Sequence, residues 1–270
     1  MTWNIAHRGA DSLAPENTLA AARKAFECGA DMWELDVAVS ADGALVLLHD
    51  DTLLRTTNVR AVFPDRDMCT SSTFTLAELQ ALDCGSWFAE ADPFGTIARG
   101  EVSAGDCVAY RGARIPTLRE ALEFTRSHDR AVNVEIKSLP APMEDFPVAT
   151  AVGELVQSLA MQDRVIVSSF IRARLDEVRA VAAEVRIHAL VGYAEDEFVR
   201  MPTGGALDGI HPRYNRVSDE QVRAAMTAGH KVIPWVVNEI AAMEHFLALG
   251  VDGIITDYPQ RLHAVLQDRS

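Results

Sequence analysis

Short apolar runs alternate along this chain with stretches whose apolar residues recur at helical spacing. The first run is Trp3 to Ala6. A helix is predicted from about Asn17 to Cys28, where Gly29 can stop it, and a second run follows at Met32 to Val37. After a break the alternation resumes with runs at Ala131 to Ile136, Arg164 to Ser168, Arg186 to Val191, Leu207 to Ile210, Lys231 to Val237 and Gly253 to Thr256. Thr117-x-x-Glu120 and Ser218-x-x-Gln221 each precede an apolar-periodic stretch and can form reciprocal capping boxes. Eight strand-helix units in 270 residues favour a closed parallel barrel, the TIM (β/α)8 architecture, over an open doubly wound sheet. No G-x-G-x-x-G follows a strand, which weakens a dinucleotide-binding reading.

Two regions interrupt the alternation. From Val37 to Leu48, Ala41-Asp42-Gly43 is a turn signal between apolar runs, so a hairpin is expected. With its tip near Asp42, residues 35 and 49 fall opposite each other and His49 returns toward Glu34 and Asp36. Whether the returning arm, 44–48, joins the barrel is open. The second interruption, 51–116, has one helix-like stretch, Thr75 to Leu82, and reads as a lid or substrate-shaping insertion into a barrel made of 1–50 and 117–270. Trp87, Phe88 and Phe94 either anchor it on the barrel or form its own small core.

Composition narrows the choice of partner. A 49% hydrophobic chain can bury a large core, while 39 Asp+Glu against 25 Lys+Arg give a net charge of −14. A surface that acidic repels nucleic acid and anionic membrane, so a phosphate-bearing substrate must find a local positive site. The four cysteines, Cys28, Cys69, Cys84 and Cys107, form no C-x-x-C pair. With no export-like start and no apolar run of membrane-spanning length, a reduced cytoplasmic protein is the expectation.

Charge gathers where the strand-like runs end. Glu34 and Asp36 are two apart and leave the same face of one strand, and Glu135 repeats that geometry from another. Three such acids without a counter-charge repel, and a bound hard cation, Mg²⁺ or Ca²⁺, relieves them economically; ion pairing with neighbouring Arg or Lys is the alternative. His7 and His49 come from different strand ends and suit a pair in which one removes a proton and the other delivers one, as P–O cleavage needs. Arg8 and Lys137 offer phosphate-binding charge or simply balance the acids. Trp235 either lies against an uncharged part of a substrate or belongs to the core. His211 is a site-lining candidate, His128, His188, His230, His245 and His263 read as ordinary core or surface residues, and Asp257 in Thr256-Asp257-Tyr258-Pro259 reads as a turn and helix start.

Taken together, Ala6-His7-Arg8-Gly9, Pro15-Glu16-Asn17-Thr18, Glu34-Leu35-Asp36-Val37, His49-Asp50, Glu135-Ile136-Lys137 and Trp235-Val236-Val237-Asn238 resemble the glycerophosphodiester phosphodiesterases. Leu82-Asp83-Cys84-Gly85-Ser86-Trp87-Phe88 and Ile115-Pro116-Thr117-Leu118 look like the stretches flanking that family's insertion, and Val236 stands where relatives often have threonine. The resemblance implies a TIM barrel, a divalent cation and hydrolysis of small glycerophosphodiesters to glycerol 3-phosphate and an alcohol. It makes His7 and His49 the acid/base pair, Glu34, Asp36 and Glu135 the metal ligands, and Arg8 and Lys137 the phosphate binders. Lysophospholipase D-like action and a catalytically silent phosphate-binding barrel are the rival readings.

Overall fold

A computed structural model describes residues 2–192 and 207–269. Among the described residues nine strands form, β1 (Trp3–Ala6), β2 (Met32–Val39), β3 (Leu45–Leu47), β4 (Ala131–Ile136), β5 (Val165–Ser169), β6 (Arg186–Val191), β7 (Gly209–Pro212), β8 (Lys231–Val232) and β9 (Gly253–Thr256). Eight run parallel in the order β8-β7-β6-β5-β4-β2-β1-β9. The ring closes where 232–237 meets β9, through Asp252 N–H to Val232 O (3.0 Å), Ile255 N–H to Pro234 O (3.0 Å) and Val237 N–H to Ile255 O (2.9 Å). The TIM barrel expected from the sequence is therefore present.

Side-chain period two sorts each strand into a barrel-inward and a helix-facing set. Inward, Ile5, Met32, Ile166, Ile233 and Ile255 pack into one small cluster. Outward, Trp33, Leu35, Val132, Val134, Val165, Val167 and Ile187 join the main core under the surrounding helices. Thr117 and Ser218 form the expected capping boxes with Glu120 and Gln221 at the starts of helices Leu118–Ser127 and Asp219–Thr227.

Several boundaries differ from the sequence reading. The regular strand expected over Lys231 to Val237 stops at Val232: Pro234 has no N–H to give the ladder, and the rest of the run holds the ring through scattered bonds. The first helix spans Leu19–Glu27, beginning after Thr18, whose hydroxyl caps Ala21 N–H, because Asn17 is occupied elsewhere. The hairpin has the expected register, Val37 opposite Leu47 and Val39 opposite Leu45. Its returning arm pairs with the extended end of β2, is bridged on its other side to Thr117 at Val46, and lies off the barrel ring.

Segment 51–116 contains four short α-helices and one turn of 3-10 helix, and of these Leu76–Gln80 corresponds to the stretch predicted at Thr75 to Leu82. Leu53, Val59, Phe74, Leu79 and Ile115 pack with Val46 and Leu48 in a core of their own. Phe88 joins the main core, with Trp87 and Phe94 packed against it, so the aromatic residues anchor the segment on the barrel.

One buried polar contact ties barrel to helix: Trp33 Nε1 donates to Thr125 Oγ1 at 2.8 Å. Replacing Thr125 by Val is expected to strand that indole N–H and cost about 1–3 kcal/mol, read as a lower urea midpoint by circular dichroism; an unchanged midpoint would show that the contact contributes nothing.

Candidate active site

A cavity of about 380 Å³ opens among the strand ends. His7, Arg8, Glu34, His49, Glu135 and Lys137 line one side, and Phe170, Ile171, Leu190, Trp235, Val236 and Ile255 the other. All of these are barrel residues or belong to the hairpin end at His49; among the described residues, none of 51–116 is in the lining.

The ionic side starts from the loop after β1. Arg8 holds a left-handed backbone, φ 50°, and Gly9 follows at φ 84°. A Cβ on Gly9 would meet the Ala21 carbonyl carbon at 2.6 Å, so only glycine lets this loop lie against the first helix. The turn points Arg8 N–H at Glu34 Oε2, 2.9 Å away.

Asp36 is the most heavily held carboxylate. Asn17 grips it twice, Nδ2 donating to Asp36 Oδ2 at 2.9 Å and Oδ1 accepting Asp36 N–H at 3.0 Å. Arg8 Nε lies 3.4 Å and Lys137 Nζ 3.7 Å from its oxygens. Burial works against its charge, yet Arg8, His49 and Lys137 hold its pKa down at about 2. Its two neighbours go the other way: burial, together with the negative charge of Asp36, raises Glu34, and burial with Asp36 and Glu34 pushes Glu135 up to about 8. One oxygen from each of Glu34, Asp36 and Glu135 lies within 4.8 Å of the others. Glu34 Oε1 is buried without a hydrogen-bond partner. An all-oxygen set with an unsatisfied buried acceptor fits a hard divalent cation, which would return the raised carboxyls to their charged state.

The two histidines are held alike. His7 Nδ1 donates to Asp257 Oδ1 at 2.6 Å, leaving Nε2 4.0 Å from Glu34. Asp257 is fixed by Asn238, whose Nδ2 donates to Oδ2 at 2.7 Å and whose Oδ1 accepts Asp257 N–H at 3.0 Å. Burial and Arg8 push the His7 pKa down, but its bonds with Asp11 and Asp257 more than offset them and hold it well above the ordinary value. His7, Asp11 and Asp257 are also close enough to hold a metal. The short bond already joining Asp257 to His7 makes orientation of the imidazole the better account of that group. His49 Nδ1 donates to Asp50 Oδ1 at 2.7 Å.

The structure thus brings His7, His49, Glu34, Glu135, Arg8, Lys137 and Trp235 to one cavity, with Asp36 buried beside Glu34 and Glu135. Lys137 Nζ also donates to His49 O at 2.8 Å, and Arg8 Nη1 to Glu16 Oε1 at 3.0 Å. Trp235 stands edge-on to Phe170, with ring centres 5.6 Å apart, and its Nε1 donates to His211 O. Two assignments are corrected. Asp257 begins no helix; it serves His7, while Thr256 Oγ1 accepts Tyr258 N–H. His211 is fully buried and is not in the lining of this cavity; it sits against His188 at 2.9 Å, and burial lowers both pKa values, His188 to about 3. Asn17, Asn238, Asp50 and Glu16 stand in the motifs quoted from the sequence without a role of their own, and Asn133, which lines the cavity, is in none of them. Asn133 precedes Glu135 by two on β4, a spacing that marks the same inward face.

Comparison with known proteins agrees with this geometry. The family model described as "Glycerophosphoryl diester phosphodiesterase family" matches residues 7–261. A glycerophosphodiester phosphodiesterase of Caldanaerobacter subterraneus is 36% identical over 264 residues, 97% of this chain and 96% of that protein. One from Bacillus subtilis is 31% identical, covering 97% of this chain and 85% of the relative. Among solved structures, an Oleispira antarctica phosphodiesterase in complex with the product sn-glycerol-3-phosphate superposes with a TM-score of 0.76 at 29% identity, covering 97% and 96% of the two chains. The glycerophosphodiester phosphodiesterase from Agrobacterium tumefaciens gives 0.76 at 27%, covering 98% and 100%. A match spanning nearly the whole chain, on a barrel of the same shape, means that this protein belongs to the glycerophosphoryl diester phosphodiesterase family.

Proposed function

We propose that the protein hydrolyses small glycerophosphodiesters to glycerol 3-phosphate and an alcohol, with a divalent cation, Mg²⁺ or Ca²⁺, held by Glu34, Asp36 and Glu135. The observation that carries this reading is the convergence of that acidic trio with two imidazoles, each backed by an aspartate at Nδ1, on one cavity. The product complex of the Oleispira antarctica neighbour supports glycerol 3-phosphate as the retained half.

A bound cation would neutralise a phosphate oxygen and lower the barrier to charge build-up at phosphorus. The chain's own groups do the rest. Arg8 and Lys137 line the cavity beside the acids and orient the phosphodiester. His7, its pKa raised by Asp11 and Asp257, is protonated near neutrality and suits the acid that delivers a proton to the leaving alcohol. His49 is then the base, drawing a proton through Nε2 from the attacking oxygen, either that of water, which gives glycerol 3-phosphate directly, or that of the substrate's own neighbouring hydroxyl, which gives a cyclic phosphate that water then opens, while Asp50 fixes its ring at Nδ1. Phe170, Trp235, Leu190 and Val236 offer the uncharged part of the substrate an apolar wall. Segment 51–116 is read as the substrate-shaping subdomain, bearing on the alcohol from beyond the cavity.

No helix among the described residues is long and apolar enough to cross a membrane. With the net charge of −14, this favours a water-soluble diester over a lipid in an anionic surface and a cytoplasmic setting for the enzyme. The apolar wall keeps lysophosphatidylcholine as a substrate to be compared.

Glycerophosphocholine turnover, followed by release of glycerol 3-phosphate, is expected to vanish in EDTA and return with Mg²⁺ or Ca²⁺; turnover surviving complete chelation would remove the cation from the reading. His7→Ala and His49→Ala are each expected to lower kcat by about a hundredfold or more, and either variant at wild-type kcat would dismiss that histidine as acid or base. Asp257→Asn takes away an anion that raises the His7 pKa, so the proton is lost at lower pH. The basic limb of the kcat/KM profile is expected to move to lower pH, with kcat down at least about tenfold; an unmoved limb would separate Asp257 from proton transfer.

A further inference from the structure

The cavity wall contains no side chain of segment 51–116 among the described residues, yet one residue of that segment reaches the groups behind the wall. Arg55 spreads its guanidinium between two carboxylates. Nη1 donates to Glu16 Oε2 at 2.6 Å and Nη2 to Glu16 Oε1 at 2.9 Å. Nε donates to Asp50 Oδ2 at 2.7 Å and Nη2 to Asp50 Oδ1 at 3.0 Å. The oxygen of Asp50 that takes Arg55 Nη2 is the one that accepts His49 Nδ1–H, and the oxygen of Glu16 that takes Nη2 also accepts Arg8 Nη1–H. From this double fork we infer that Arg55 is a positioning residue for phosphodiester hydrolysis, clamping Asp50 and Glu16 so that His49 and Arg8 keep their aim into the cavity. The inference rests on the reading of His49 and Arg8 given above.

Chemistry and placement support a positioning role over a stabilising one. The Arg55 side chain is 42% exposed, and an ion pair this open to water contributes little to folding. A planar guanidinium fork can nevertheless fix two carboxylates in direction as well as distance, which an ammonium cannot. The base of the fork is itself held. Leu53, two residues earlier, is fully buried in the segment's own core, and its N–H donates to Cys69 O at 2.8 Å. The guanidinium carbon lies 5.6 Å from the Trp87 ring centre, and Trp87 Nε1 donates to Cys84 O. His49 follows the short arm of a hairpin that lies off the barrel ring, so barrel pairing does not set its ring orientation. Arg55 carries the rigidity of the inserted segment to that residue. It also joins the proton-transfer side of the site to the phosphate-binding side through one side chain.

The experiment compares Arg55→Ala and Arg55→Lys with His49→Ala and Asp50→Asn in the cation-loaded enzyme, measuring kcat, KM and thermal unfolding for each on glycerophosphocholine. Small misplacements of catalytic groups cost up to about a hundredfold. Both Arg55 variants are therefore expected to lose about ten- to a hundredfold in kcat, with unfolding temperatures near wild type. Lysine should not restore the rate, since it keeps the charge without the fork. In the Asp50→Asn background the further loss in kcat from Arg55→Ala is expected to shrink, the non-additivity of groups acting in series. Guanidinium added to Arg55→Ala should recover part of the rate, because the position is open to solvent. As a control in the same segment, Arg66→Gln breaks the ion pair with Glu78 and is expected to leave kcat unchanged.

Wild-type kcat and KM in Arg55→Ala, or losses that simply add to those of Asp50→Asn, would overturn the inference. An Arg66→Gln variant as slow as Arg55→Ala would do the same, by showing that any loosening of the segment suffices. Should Arg55→Ala not fold, Arg55→Lys decides alone: full activity there sinks the fork. His49→Ala at wild-type rate would instead overturn the catalytic reading itself, a result distinguishable from failure of the clamp.

Discussion

Everything at the top of this barrel answers to one electrostatic constraint, the burial of three carboxylates at the ends of two adjacent strands. Asp36 and Glu135 are direct cross-strand partners, and Glu34 shares their inward face. Like charges so placed repel strongly in a site of low dielectric. The chain relieves the repulsion unevenly. Asn17, Arg8 and Lys137 converge on Asp36 and keep it ionised, whereas Glu34 and Glu135 are left with raised pKa values and an unpartnered oxygen. A structural ion-pair network would have spread its cations over all three. Concentrating them on one acid leaves the other two short of positive charge, the condition in which a dication binds most favourably.

The constraint also explains the shape of the surrounding loops. Glu16 receives Arg8, Asn17 clamps Asp36, and Thr18 caps the first helix, so three consecutive residues join Arg8, the acidic cluster and the helix start. Arg8 reaches its place by a left-handed backbone that costs about 1–2 kcal/mol for a residue with a side chain. Such local strain persists where the surroundings over-determine it, and here Glu34, Glu16 and Asp36 all hold the same arginine.

How much of this could be read in the sequence follows from the range of each interaction. Period-two and helical patterns are local, so all eight barrel strands and two of the four capping boxes among the described residues were legible. So was the hairpin register that brings His49 back to the acids, since the turn at Asp42 sets it over a dozen residues. Pro234 is a local signal against a full strand to Val237, set within an apolar run that favours one. The lost information is long-range. Thr256-Asp257-Tyr258-Pro259 carries a turn signal whether or not a histidine 250 residues earlier needs a carboxylate, and only β1–β9 pairing, Ala6 beside Thr256, brings Asp257 to His7. Asn17 looked like a helix residue because nothing nearby reveals that Asp36 will claim its side chain.

That difference in range sets the two histidines apart. His49 takes its aspartate from the next residue and needs only the hairpin to stand, so its dyad is complete before the ring closes. His7 takes its aspartate from the strand that closes the barrel, and Asn238, which fixes that aspartate, comes from the segment that completes the ring against the same strand. The His7 dyad therefore needs β9 beside β1, and its aspartate is fixed by Asn238 only where 232–237 closes the ring on the other side of β9. Loosening the β1–β9 seam would cost His7 its orienting anion before it cost the acidic cluster its geometry, because Glu34, Asp36 and Glu135 sit on β2 and β4, on the far side of β1 from that seam. In this architecture the orientation of His7 depends on the seam, and the geometry of the acidic cluster depends on the β2–β4 pair.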